Sequence, residues 1–265
     1  MLFRSIAKPY EVDIYLPDYN LAIEYNGLYW HSEIYKKNDY HINKTELCEK
    51  NEIKLLQIFE DEWVYKRDIV KSIIKNKLNI NLNKIYARKC FIKEISNDSY
   101  RDFLNNNHIQ GYVNTKIKLG LHYEGELVCV AGFDSNRKLM GLNKQDGYHE
   151  LIRFCNKLDF NIIGGFSKLL SHFIKNYEVK NLITYADRRY FDGKGYEKNG
   201  FKFIKNTSPN YWYINNDKRE YRFKYRKDVL VKEGFDSNKS EHQIMLERGI
   251  YRIYDCGNKK YEMII

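Results

Sequence analysis

The sequence predicts a mixed α/β (α+β) protein of two domains, and three observations predict it. Short runs that alternate apolar and polar residues recur along the chain, as at Val12, Ile14 and Leu16 or through residues 116–123 and 126–133. That period of two is the mark of strands. Between them lie stretches with apolar residues at helical spacing, such as Ile69, Val70, Ile73, Ile74 and Leu78. Residues 79–84, Asn-Ile-Asn-Leu-Asn-Lys, break the periodicity and read as a linker. The division predicted is a first domain at 1–78, a second at 85–228 and a C-terminal extension at 229–265.

Composition bounds the function. The 265 residues carry 45 Lys and Arg against 35 Asp and Glu, a formal charge of +10, and 24 tyrosines. An excess of that sign suits a polyanionic partner, although the abundance of Lys, Ile and Asn is also the mark of an AT-rich genome. Aromatic residues beside basic ones suit nucleic acid as well as cores. The cysteines at 48, 90, 129, 155 and 256 form no Cys-x-x-Cys pair. This gives neither a zinc knuckle nor a disulfide framework, and a reducing cytosol is the expected compartment. No apolar run reaches membrane-spanning length, so no membrane partner is expected.

The first element in order is the stretch 10–31. Two alternating runs flank Pro17, Asp18, Tyr19 and Asn20, which are turn residues. The two strands carry Asp13 and Glu24, eleven residues apart, and Asn26-Gly27 closes the second strand ahead of Trp30-His31. Carboxylates from paired strands can converge on a Mg²⁺-type ion. Such an ion polarises a phosphodiester and activates water, and His31 is placed to move a proton. The plainer alternative is two half-buried strands with ordinary surface carboxylates and a satisfied histidine.

The order Asp, Glu-x-Asn, Gly, Trp-His resembles the very short patch repair (Vsr) endonucleases and the phage homing endonucleases related to them, within the PD-(D/E)xK superfamily. That resemblance implies Asp13 as metal ligand, with Glu24 and the Tyr25 carbonyl assisting, and His31 as the catalytic histidine. Asn26 stands where the superfamily has the lysine of Glu-x-Lys, and His31 takes over its work. It also places a helix beside the metal site, following the polar loop that opens at residue 32. His41 and Lys44 of that helix are the expected phosphate contacts. Residues 54–59 read as a strand, with Glu60 at its end as a further candidate for the metal site and Asp61 and Glu62 at the positive end of a helix running 63–78.

Beyond the linker, residues 86–95 read as a strand and 99–107 as a helix. The runs 116–123 and 126–133 form a hairpin around Glu124-Gly125, and 148–155 is a further strand. Residues 166–177 form a helix with Phe166, Leu169, Leu170, Phe173, Ile174 and Tyr177 on one stripe. Strands at 181–186, 201–204 and 211–214 follow, with a helical turn at 195–199 ending at Gly200. A helix at 240–248 and a short strand pair around residues 255–258 close the chain.

That order, with Gly164-Gly165 before the long helix and Gly-Tyr-Glu-Lys-Asn-Gly-Phe at 195–201, resembles the Gcn5-related N-acetyltransferase (GNAT) fold and the phage DNA-modifying Mom acyltransferases. The resemblance implies an acyl-CoA pyrophosphate site at Gly164, Gly165, Ser167 and Lys168, and Tyr196 as the acid for the departing thiolate. The match departs from the family pattern at Asn161 and at Phe166, which falls where a Gly or Ala belongs. The same domain offers a second use, DNA recognition, through Arg188, Arg189, Arg222, Lys224 and Arg226 interleaved with aromatics.

Taken together, the resemblances imply a DNA endonuclease of the phage homing type, a hydrolase of phosphodiesters dependent on Mg²⁺ or another divalent ion. It acts on double-stranded DNA in the bacterial host cytoplasm, with the GNAT-like domain aiding recognition. The alternative is a DNA-modifying GNAT-type acyltransferase using acyl-CoA, with a vestigial nuclease domain.

Overall fold

A computed structural model describes residues 3–7, 10–80, 83–135 and 146–265. In chain order its elements are strands β1 (Phe3–Ala7), β2 (Tyr10–Val12), β3 (Ile14–Leu16) and β4 (Leu21–Asn26), helix α1 (Tyr40–Lys50) and strand β5 (Lys54–Phe59). Helices α2 (Glu60–Tyr65) and α3 (Arg67–Leu78) follow, then β6 (Asn83–Tyr86), β7 (Phe91–Glu94), α4 (Asn97–Asn107), β8 (Ile117–Tyr123), β9 (Glu126–Ser135) and β10 (Tyr148–Asn156). Next come β11 (Phe160–Ile163), α5 (Gly165–Asn176), β12 (Asn181–Asp187), α6 (Lys194–Glu197), β13 (Lys202–Asn206), β14 (Tyr211–Asn215) and β15 (Lys218–Tyr221). The last are α7 (Lys227–Lys232), α8 (Glu241–Glu247), β16 (Arg252–Tyr254) and β17 (Asn258–Ile264).

Contacts gather these elements into two compact units, each discontinuous in sequence. Unit 1 comprises residues 1–65, 187–191 and 207–258, and unit 2 comprises 66–186, 192–206 and 259–265.

In unit 1, β3 pairs antiparallel with β4, and β4 pairs in parallel with β5. Helix α1 packs on this small sheet through Cys48, against Val12, Ala22, Ile53 and Leu55. A second sheet, β15-β14-β16, covers a tyrosine-rich cluster of Tyr213, Tyr225, Leu230, Ile244 and Met245. The single first strand expected from alternation is broken at Asp13. β2 pairs with β1, whereas β3 turns to β4 through a 3-10 turn at Pro17–Tyr19. Asn20 closes that turn at φ +45°, a conformation Asn tolerates.

Unit 2 is built on a seven-stranded sheet of order β13-β17-β12-β10-β9-β8-β7. Its core joins the sheet to α5 through Leu119, Leu121, Phe133, Leu169, Phe173 and Leu182. β10 and β12 are parallel, while β10-β9, β9-β8 and β8-β7 are antiparallel. The strand expected over 86–95 is two strands separated by a tight turn at Ala87–Lys89. Only Tyr86 of that range belongs to the first of them, β6, which pairs in parallel with β11 outside the main sheet. Alternation cannot register such a change of partner. The helix expected over 63–78 is likewise interrupted, at Lys66, whose backbone (φ −135°, ψ 33°) is not helical. Of the linker read at 79–84, Asn79 caps α3 in the left-handed region and residues 83–84 belong to β6, while 81–82 lie outside the described residues.

All five cysteines are free and buried. Among the described residues no helix is long and apolar enough to cross a membrane.

Unit 1 is closed by a buried ionic cluster. Arg189 donates to Glu62 (2.8 Å) and to both oxygens of Asp187 (3.2 and 2.8 Å). Arg219 pairs with Glu62 (2.8 Å) and Asp61 (2.9 Å), and the Tyr190 hydroxyl donates to Glu62 at 2.5 Å. Burial pushes the Glu62 carboxyl up, but Arg189 and Arg219 outweigh it and hold the group well below the usual carboxylate range. Removing one member of such a cluster strands the others without compensation. Glu62→Gln is therefore expected to cost roughly 3–5 kcal/mol in urea denaturation. A loss below about 1 kcal/mol, the scale of an exposed pair, would show that the cluster does not hold the unit together.

Candidate functional site

Within unit 1 the residues singled out in the first domain do come together, around β4, β5 and α1. Asp13 lies exposed at the bend between β2 and β3, and its Oδ2 accepts the Tyr25 amide at 2.7 Å. The neighbouring Glu24 is 5 % exposed and ion-paired to Lys44, itself 1 % exposed. Burial raises the Glu24 carboxyl above its ordinary value, opposed by Lys44. Asn26 is fully buried, and its amide donates to Gln57 (3.1 Å). Gln57 in turn donates to the His41 carbonyl (2.8 Å) and to the Thr45 hydroxyl (2.7 Å). His31 Nδ1 lies 3.0 Å from His41 Nε2, with the two rings stacked. Sequence reasoning missed Gln57 and Thr45, which look like ordinary strand and helix residues until the β4-β5 register puts Gln57 beside Glu24.

Burial corrects the role expected of His41 and Lys44. Neither faces solvent: Lys44 is committed to Glu24, and His41 is packed against His31 and Phe59. The same holds for Arg188 and Arg189, which are 4 % and 3 % exposed. Arg188 donates to Glu46 (3.2 Å) and Glu49 (2.8 Å), and Arg189 belongs to the ionic cluster. None of these four presents its charge to an external phosphate. Arg222, Lys224 and Arg226 lie nearer the surface. Lys224 is ion-paired with Glu220, Arg226 with Asp228, and the Arg222 guanidinium stacks on Tyr211 and Phe223.

In unit 2 the second set converges at a fork in the sheet. β10 and β12 are in register only from Tyr148↔Asn181 to Leu151↔Thr184. β10 then runs on to Asn156 along β9, and β12 runs on to Asp187. The parting coincides with an irregularity in β10, where one residue, Ile152, is extra between Leu151↔Phe133 and Arg153↔Gly132. A bulge of this kind bends its strand away from its neighbour.

Helix α5 begins beside that region. Gly164, its N-cap, has φ +76°, and a Cβ on Gly165 would sit 2.9 Å from Ile162. Glycine is thus required at both positions, one for conformation and one for space. The first α-helical bond runs from the Lys168 amide to the Gly164 carbonyl (3.0 Å). The amides of Gly165, Phe166 and Ser167 therefore lack a carbonyl one turn earlier and point from the positive end of the helix. A surface cavity of about 410 Å³ opens there, lined by Tyr86, Arg88, Gly164, Ser167, Lys168 and Ser171 among others. The Arg88 guanidinium stacks on Tyr86, and Lys168 Nζ is held by the carbonyls of Ala87 (2.9 Å) and Cys90 (2.6 Å). Cationic side chains, two serine hydroxyls and three free amides make a place for phosphate. Tyr86, Arg88 and Ser171 carried no sequence signal. The first two reach the site through the parallel pairing of β6 with β11.

Tyr196 stands at the fork, half-buried, with its hydroxyl in hydrogen-bond contact with Thr184, the last paired residue of β12. Burial raises its phenol above the ordinary value, so it keeps its proton at neutral pH. Its ring packs against Phe166 (5.5 Å between centroids), Phe201 (5.6 Å) and Tyr261 (5.6 Å).

No protein-family model matches the sequence, and no curated protein matches it. Solved structures do. A GNAT family acetyltransferase from Elizabethkingia anophelis with acetyl-CoA bound is 12% identical, with 67% of this chain and 99% of that chain covered, at a TM-score of 0.37. An acetyltransferase from Bacillus subtilis in complex with CoA is also 12% identical over the same shares, at 0.38. N-acetylglutamate synthase from Neisseria gonorrhoeae, complexed with CoA and N-acetyl-glutamate, is 10% identical over 83% of this chain and 45% of that one, at 0.37.

The endonuclease reading of the sequence is corrected on the geometry of unit 1. A hydrolase built on Mg²⁺ needs carboxylates free to face an ion. Here the charge of Glu24 is taken by Lys44, Asp13 accepts the Tyr25 amide, and Asn26 is enclosed. Among the described residues no group of three or more His, Cys, Asp or Glu side chains is placed to hold a metal ion.

The histidine pair has its own signature. Burial, helped by Lys36 and Lys44, lowers His31 to about 4. His41 is lowered too, by burial and by His31. A histidine lowered in the folded state binds fewer protons there than when unfolded. Its neutral-state stability is whole above pH 6.5 and is lost as pH falls toward 4. The stability of wild type relative to His31→Gln should thus decline between pH 7 and pH 4.5. A difference that stays constant over that window would show that His31 titrates normally.

Proposed function

We propose that unit 2 is an acyltransferase that draws its acyl group from an acyl-CoA thioester. One observation carries the reading. A glycine-capped helix start with three free amides lies against a cationic, hydroxyl-lined cavity, and a protonated tyrosine stands where two parallel strands part. Crevices at the carboxyl ends of parallel strands are favoured ligand sites in α/β sheets.

The residues suit the phosphate-bearing end of such a cofactor. Gly164 and Gly165 leave the backbone open for close approach, and the amides of Gly165, Phe166 and Ser167 would hold a pyrophosphate. Arg88 adds a fixed charge from across the cavity, and Lys168 adds charge while anchoring the turn at Ala87–Lys89 to α5. Acyl-CoA, when bound, supplies an acyl group activated as a thioester. Tyr196 supplies a proton at the fork, the requirement for expelling a thiolate.

The macromolecular partner we propose is double-stranded DNA. The net charge of +10 and the surface positions of Arg222, Lys224 and Arg226 support it.

Isothermal titration of the full chain with CoA is expected to show one site. Ser167→Glu sets a carboxylate at the exposed helix start without disturbing the core, and it should weaken CoA by about tenfold or more through like-charge repulsion. Absence of wild-type binding at millimolar CoA would remove the proposal. For the partner, affinity for duplex DNA should fall steeply with salt. Reversing Arg222, Lys224 and Arg226 together should flatten that slope, and an unchanged slope would place the contact elsewhere.

A further inference from the structure

The fork between β10 and β12 is bridged by rings. Phe154 lies on β10 beyond its last residue in register with β12, and Tyr196 contacts Thr184, the last such residue of β12. Phe166, the second residue of α5, stands between them. Its ring centroid is 5.0 Å from Phe154 and 5.5 Å from Tyr196, in both cases edge to face. Phe201 lies beyond, at 6.3 Å. Edge-to-face contacts at these separations are favourable in themselves. The bridge is therefore a packed feature, and a side chain lacking a ring at 166 would leave Phe154 and Tyr196 without their common partner.

The position matters because of what lies on either side. The free amides and the cavity are at the outer end of α5, whereas Tyr196 is at the fork. Phe166 joins the two places, because its amide is one of those at the helix start and its ring touches Tyr196 at the fork. We infer that Phe166 is the specificity-determining residue of this site. It admits the phosphate-bearing nucleotide end freely and admits the thioester arm only when its ring swings aside. This inference rests on the acyl-CoA reading of unit 2. It adds that the chain favours short or absent arms, so the nucleotide contributes most of the affinity.

The test compares two ligands on the full chain by titration calorimetry: CoA, and the 3′-phosphorylated ADP that forms its nucleotide end. Wild type is expected to bind both with similar affinity. In Phe166→Ala the affinity for CoA should rise about tenfold while that for the nucleotide stays the same. Hydrolysis of acetyl-CoA by water, to acetate and the free CoA thiol, should rise in parallel. Phe166→Leu keeps apolar volume without the ring, so it reports the same selectivity change if Phe166→Ala fails to fold. The inference is overturned if wild type prefers CoA over the nucleotide by about tenfold and neither variant alters that ratio. If wild type and both variants bind neither ligand, the acyl-CoA reading itself fails and the inference falls with it.

Discussion

The guanidinium of Arg189, buried among carboxylates, ties together parts of unit 1 that are far apart in sequence. It lies on the short segment 187–191, pairs with Glu62 at the start of α2, and shares that glutamate with Arg219 of β15. Its ring-like plane also stacks on Phe59 and Tyr190. Taking so many charges out of water is costly, and the cost is met only when every donor finds an acceptor. Unit 1 therefore cannot assemble from its first 65 residues alone. It needs the segment at 187 and the stretch after 207 to complete the same cluster.

Unit 2 rests on a different principle, a sheet whose two central parallel strands begin paired and then part. Parallel strands normally bury both faces and stay together. The extra residue in β10 releases the pair, and the gap so formed sits beside a helix start that is capped by glycine. The second residue of that helix, Phe166, sets its ring between Phe154 of β10 and Tyr196.

Much of this was legible in the sequence where the signal is local. The stripe from Phe166 to Tyr177, the hairpin at Glu124-Gly125 and the glycine pair at 164 and 165 are short-range patterns, and the structure has the helix, the turn and the helix cap at those places. The acidic and histidine residues from Asp13 to His41 were also legible as a group. Their chemistry was not. Ion pairing to Lys44 and the burial of His41 arise from how α1 seats on the sheet, which no spacing encodes. Arg188 and Arg189 misled for the same reason. A run of arginines reads as surface charge, and only the positions of Glu46, Glu49, Glu62 and Asp187 make it interior. Tyr86 and Arg88 were hidden inside what alternation took for one continuous strand.

The buried cysteines carry a further consequence. Cys48 and Cys256 lie in unit 1, and Cys90, Cys129 and Cys155 lie in unit 2, each shielded from solvent. Burial also keeps all of them protonated, by raising the thiols. A thiol reagent can therefore reach them only when the surrounding structure opens. The two sets act as separate clocks, so the rate at which each is labelled reports how often its own unit opens, with no probe added to the chain.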